Sequence, residues 1–235
     1  MTMDRSRCAL VAALGLFCAP AAHAQVAVNL SLDSDDRLRG RSLSGGNPVA
    51  TVGIGYDHPS GVYVDAAVVA KLAGDRPGVT RFQADLGYAV RLNEALSLDV
   101  GVLRSQYTSR YAGGRDAHYT EFFVGLTRHR VSARVYYSPD YLRSGTTSVY
   151  AELEAALIRS EEWHLSAHAG RLFYPTLAPA YANFRDQYDW RLSLSRDVHG
   201  FELHAALSGG GPGDDFYATG SHPRTALVVG VSHSF

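Results

Sequence analysis

Residues 29–50 read NLSLDSDDRLRGRSLSGGNPVA. The stretch opens as an alternating strand. Val26, Val28, Leu30 and Leu32 point one way and Asn29, Ser31 and Asp33 the other, because successive side chains of a strand leave on opposite faces. Continued without a break, the alternation carries Asp35, Arg37, Arg39 and Arg41 onto the polar side, as a ladder of guanidiniums. Two questions follow: which solvent meets each face, and what the arginines do.

Working outward, the same period recurs to the end of the chain. Eleven further strands are predicted: Val49–Asp57, Val62–Lys71, Thr80–Arg91, Leu96–Ser105, His118–Thr127, Val131–Ser138, Ser148–Ile158, Trp163–Leu172, Arg185–Arg196, Phe201–Ser208 and Arg224–Phe235. The facing of 62–71 is the least marked, since Val62, Val64, Ala66 and Val68 alternate with Tyr63, Asp65, Ala67 and Val69. The connections alternate long and short. HPSG, NEA, RHR, SEE and DVHG are short; those around Gly45, Gly74, Arg110, Arg143, Pro179 and Gly213 are long. An even number of strands of about ten residues, with short turns at one rim and long loops at the other, is the rhythm of a membrane-spanning barrel. Tyr56, Phe82, Tyr88, Tyr137, Trp163, Tyr188, Phe201 and Phe235 near strand ends suit interfacial girdles. The expected fold is all-β, a transmembrane up-and-down antiparallel β-barrel of 12 strands. The competing reading is a soluble barrel or sandwich with its apolar side chains inward.

Residues 1–24 are expected to be a signal peptide. Arg5 and Arg7 precede an apolar run from Cys8 to Ala22, and Ala22-His23-Ala24 fits the small-x-small cleavage rule. Residues 25–235 then form the barrel domain. Both cysteines lie in the leader, so the mature chain has no disulfide. Losing Asp4, Arg5 and Arg7 changes the formal charge from −1 to −2, a near-neutral balance that argues against nucleic acid as a partner. The cations are nearly all arginine; Lys71 is the sole lysine.

The opening stretch resembles the N-terminal signature of an exported proteobacterial family, Gcw_chp, also known as the TorF family of porins. The matching positions are Asn29, Ser34, Asp35, Arg39, Gly40, Ser42, Pro48, Gly53, Tyr56, Ser60, Gly61 and Tyr63. Asp36 departs from the pattern, standing where the family usually carries an aromatic. The resemblance implies an outer-membrane barrel and a porin role, with no defined substrate. Phe235, preceded by the alternating Leu227, Val229 and Val231, looks like the terminal aromatic of an outer-membrane assembly signal, although His233 stands where an apolar residue is commoner. Partners expected on this reading are the barrel assembly machinery, outer-membrane lipid with lipopolysaccharide, and small solutes.

Two constellations stand out as lumen-lining candidates. An in-register hairpin would set Arg37, Arg39 and Arg41 roughly opposite Thr51, Gly53 and Gly55, where small partners leave room for long side chains. There they would either attract anions or pair with inward carboxylates and fill the barrel. Arg81, Asp85 and Arg134 share the inward parity. The second set is Glu152, Glu154 and His168, with Asp189 and Arg191 on a neighbouring strand; either even register places one of the glutamates opposite His168. His164 and His168 on one strand face lie about 13 Å apart, too far to hold one metal ion. Asp214 and Asp215 either hold a divalent ion between lipopolysaccharide phosphates or belong to an ordinary solvated loop, and the loop is the favoured reading. No G-x-S-x-G and no phosphate loop occur, and nearly all strand histidines have inward parity. The expectation is therefore a passive channel rather than an enzyme, with no cofactor and no metal. The alternatives are a non-conducting structural or surface-binding barrel and, further off, a lipid-active enzyme.

Overall fold

In the computed structural model, residues 25–112, 114–177, 186–211 and 224–235 are described. The expected leader, Asp214 and Asp215 lie outside them. The strands are β1 (Gln25–Asp33), β2 (Arg37–Leu38), β3 (Arg41–Ser42), β4 (Val49–Asp57), β5 (Val62–Lys71), β6 (Gly78–Asn93), β7 (Leu96–Tyr107), β8 (Ala117–Arg128), β9 (Val131–Ser138), β10 (Thr147–Arg159), β11 (Trp163–Thr176), β12 (Gln187–Val198), β13 (Phe201–Gly211) and β14 (Thr225–Ser234). All except β2 and β3 form one closed antiparallel barrel in chain order, sealed where β1 meets β14. Closure matters because an open edge would present unpaired backbone groups, intolerable in hydrocarbon.

Which face meets which solvent is settled by exposure. Leu30, Leu32, Val52, Ile54, Leu86, Val124, Leu153, Leu192, Leu203 and Leu227 all stand exposed on the outer wall. The eight girdle aromatics are exposed with them. Asn29, Glu121, Glu154, Asp189 and Ser208 are buried on the inside. This inverts the polarity of a soluble sandwich and removes that alternative. On β5, Val64 is exposed and Val69 is buried, so its facing follows the alternation as written.

The connections keep the two-rim pattern. The two-residue turn His199-Gly200, between paired Val198 and Phe201, has both residues at positive φ, the type I′ geometry. Among the described connections, the long 34–48 segment departs from a simple up-and-down path. It folds into the barrel and carries the β2–β3 hairpin with it.

Candidate functional site

The ladder does not continue along β1. The strand ends at Asp33, and the partners of Ala27, Asn29 and Ser31 across the sheet are Gly55, Gly53 and Thr51. Those three residues, not Arg41, Arg39 and Arg37, occupy the positions opposite the small residues of β4. The reason is local chemistry. Asp35 turns inward and its Oδ1 accepts hydrogen bonds from Ser42 Oγ at 2.5 Å and Ser44 Oγ at 2.7 Å. Its Oδ2 accepts from Arg37 Nη1 at 3.1 Å. Three donors on one buried carboxylate close residues 35–44 on themselves.

Arg37 and Leu38 pair with Ser42 and Arg41, leaving Arg39 and Gly40 as a two-residue turn with φ of 50° and 72°. Positive φ at both positions is the type I′ geometry, whose twist matches the flanking strands. Gly40 is required twice over. Besides its φ, a Cβ there would lie 2.6 Å from the Gly209 carbonyl oxygen and 2.9 Å from Gly210 Cα. The turn therefore rests on a glycine shelf on β13. That shelf supplies the close approach that was expected from the glycines of β4.

At the tip, Arg39 donates from Nη2 to Glu121 Oε1 on β8 at 2.7 Å and from Nη1 to the Tyr141 hydroxyl at 2.8 Å. Its guanidinium sits 4.0 Å from the centre of the Tyr150 ring. Leu43, on the return arm, is 1% exposed and packs among Tyr107, Tyr111, Tyr119, Tyr141, Tyr150 and Leu172. The Leu43 carbonyl accepts from Ala112 N at 2.7 Å, tying the arm to the β7–β8 loop. Asp36 pairs with Arg81 Nη2 on β6 at 3.1 Å. Burial pushes its carboxyl above the ordinary value, with Arg81 pulling down and Asp35 and Asp33 adding to the rise. Arg41 is buried at 7% exposure. Arg37 also donates to the carbonyls of Gly40 and Arg224.

The second constellation lies on the neighbouring wall. The register puts Glu154 opposite His168, and His168 opposite Arg191. His168 Nδ1 lies 3.0 Å from Glu154 Oε2 and its Nε2 lies 2.8 Å from Asp189 Oδ1. Arg191 donates to Glu154 at 3.2 Å, and the Tyr150 hydroxyl donates to Asp189 at 3.1 Å. Glu152 stands apart from His168 and accepts from the Tyr136 hydroxyl at 3.1 Å. Tyr150 touches both sets, so the hairpin and this network share one tyrosine. Toward the short-turn rim, Arg134 pairs with Asp99, which also accepts from the Tyr63 hydroxyl at 2.8 Å. Asp85 faces Asp65 across β5–β6.

Glu121, Asp36, Tyr141 and Tyr150 were not among the expected lining residues. Glu121 and Tyr150 carry the inward parity of their strands, which was the available signal. Tyr141 sits in a loop where no parity applies. Histidine facing also needs correcting. His164, His168 and His204 face inward, but His118 and His233 share the outward parity of Phe122 and Val231. Among the described residues, no group of histidines and carboxylates has metal-holding geometry.

Curated proteins return no match to the chain. Among solved structures, the KdgM porin aligns with a TM-score of 0.56 at 10% identity, over 89% of this chain and 99% of that one. The NanC porin aligns with a TM-score of 0.56 at 8% identity, over 88% and 98%. An outer-membrane channel from Pseudomonas putida F1 gives 0.56 at 12% identity, over 92% and 96%. Identities this low speak for the shared fold alone: the barrel is built as these porins are. The sequence profile of Gcw_chp, bacterial proteins of unknown function, matches residues 18–226, and the chain belongs to that family.

Proposed function

We propose that the protein is an outer-membrane porin that forms a passive channel for small hydrophilic solutes, with the 34–48 segment as its constriction. One observation carries this reading: a closed barrel with an apolar outer wall and a charged, hydrogen-bonded interior. A wall of that polarity is stable only in a bilayer, and a charged interior is what an aqueous path needs. The porin fold supports a channel over an enzyme. On this reading the short turns face the periplasm, the long loops face outward, and residues 1–24 are removed on export. Phe235 ends the signal read by the assembly machinery, and membrane lipid is the surrounding partner. The constriction narrows the path through paired charges. Arg37 pairs with Asp35, Arg39 with Glu121 and Arg81 with Asp36. Passage is therefore governed by the hairpin's position more than by a row of bare cations.

A second reading has its own support. Tyr141 is 0% exposed and Glu121 is 1% exposed, so the long-loop half of the barrel is packed tightly around the hairpin. That density favours a barrel that does not conduct and acts through its outer loops. Planar-bilayer recordings separate the two. Discrete current steps from folded protein support the channel; their absence supports the closed barrel.

A further inference from the structure

The charges on the barrel strands are sorted by side. Every described strand Asp and Glu, from Asp33 on β1 to Glu202 on β13, has inward parity. The outward charged positions are Arg104, His118, Arg128, Arg171, Arg196 and His233, all of them basic. Several are already satisfied. Arg171 pairs with Asp186 at 3.5 Å and lies over Phe173; Arg196 pairs with Glu162 at 3.1 Å and lies over Trp163; His233 Nδ1 bonds to the Gly200 carbonyl at 2.8 Å. Arg104 and Arg128 differ: no described carboxylate pairs with either, and Arg104 donates to the neutral Thr120 Oγ1 at 2.9 Å.

Arg104 and His118 open into a cleft of about 450 Å³ at the long-loop rim, between the ends of β7 and β8 and the segment 139–144, which also contributes Arg143. Two carboxylates line it, Asp116 and Asp140; Asp140 accepts from Gly145 N at 2.8 Å and so holds its own loop. That loop is fixed in place by the fully buried Tyr141, whose N donates to the Thr146 carbonyl at 2.7 Å. Directly along the outer wall, Phe122 and Tyr137 stand side by side and exposed. The cleft thus joins a recess in which Arg104, Arg143 and His118 stand with Asp116 and Asp140 to an apolar strip, the shape of a headgroup seat above an acyl track.

We propose that this cleft binds the phosphate of a phosphorylated glycolipid of the outer leaflet, with Arg104 and His118 as the recognition residues and Phe122 and Tyr137 against the acyl chain. A guanidinium matches phosphate oxygens in a fork, and the recess is preformed. The site rests on the outer-membrane reading above, which supplies the lipid.

The test uses the folded chain in detergent, with bound lipid read by native mass spectrometry. The probes are bisphosphorylated lipid A, the same lipid stripped of phosphate, and inorganic phosphate alone. Folding is confirmed by heat-modifiable mobility. Arg104→Gln with His118→Gln should weaken retention of bisphosphorylated lipid about tenfold, in line with the loss of a charge-assisted contact. Arg128→Gln, at the opposite rim, should leave it unchanged. The stripped lipid should be held as weakly by the native protein as the intact lipid is by the double variant, and inorganic phosphate should not be retained. Equal retention by the double variant, equal retention of stripped lipid, or an equal loss on Arg128→Gln would overturn the site. Failure of the native protein to fold into bilayers at all would instead overturn the membrane reading beneath it.

Discussion

Arg39 at the tip of the inward hairpin and Glu121 on the far wall of the barrel form an ion pair at 2.7 Å, with side-chain exposures of 6% and 1%. The two are joined only because the 34–48 segment leaves the wall and crosses the interior. Removing one partner strands the other charge in a dry site, a loss of about 3–5 kcal/mol for buried pairs. Arg39→Ala should therefore release the hairpin. Trypsin reports this directly, since Arg37 and Arg41 flank the tip. The native barrel should resist cleavage there, whereas the variant should be cut after Arg37 and Arg41. Equal protection would mean that Leu43 and Asp35 suffice to hold the hairpin.

Gly40→Ala tests the glycine shelf. The φ of 72° alone costs an L-residue roughly 1–2 kcal/mol, and the Cβ would press on the Gly209 carbonyl. The hairpin should lift from β13 and become a trypsin substrate, with the barrel's thermal transition little changed. A Cβ at Gly46, by contrast, would meet open space, so its replacement should cost only its own φ of 72°.

The network at His168 holds two carboxylates on either side of one imidazole. His168→Ala removes the imidazole between Glu154 and Asp189, which keep Arg191 and Tyr150 as donors, an expected loss of about 1.5–3 kcal/mol for hydrogen bonds to charged groups. Urea unfolding followed by tryptophan fluorescence should show the drop, because Trp190 lies beside Asp189 on β12. Adding Glu154→Gln should recover part of it by removing one like charge.

Docking of the hairpin should depend on pH through Asp36. Its carboxyl value is raised by burial, with Arg81 opposing. A group raised in the docked state stabilises docking while protonated, so the contribution is full at acid pH and is lost as pH rises through the raised value. Acidification should thus reduce the mobility of a spin label attached through Gly46→Cys in a hairpin weakened by Glu121→Gln, a readout free of trypsin's own loss of activity in acid. Asp36→Asn should flatten that dependence. A dependence unchanged in Asp36→Asn would move its origin to other interior groups.

The barrel was legible because one rule, alternation every second residue, governs all twelve walls and both solvents. Leu86, Val124 and Leu203 needed only their parity to be placed. The hairpin was not legible for the same reason: Asp35, Arg37, Arg39 and Arg41 keep the period of a strand while the chain has already left the sheet. What stops β1 is a set of contacts to Asp35 from residues seven and nine positions on, together with a positive φ at Arg39 that the side-chain pattern does not encode. The family-like residues Asp35, Arg39, Gly40 and Ser42 are the ones that make this turn. Asp36, the departure from that pattern, makes an ion pair with Arg81. Within the second network the strand register alone brought Glu154 to His168, whereas the reach of Tyr150 to both sites required the three-dimensional fold.

The most direct test of the central claim is single-channel recording in planar bilayers from chain 25–235 shown to be folded by heat-modifiable mobility. The native protein should give discrete current steps, and Arg39→Ala should give larger or longer-lived ones as the hairpin leaves the path. A folded native barrel that yields no steps, with an Arg39→Ala variant equally silent, would contradict a channel gated by the hairpin.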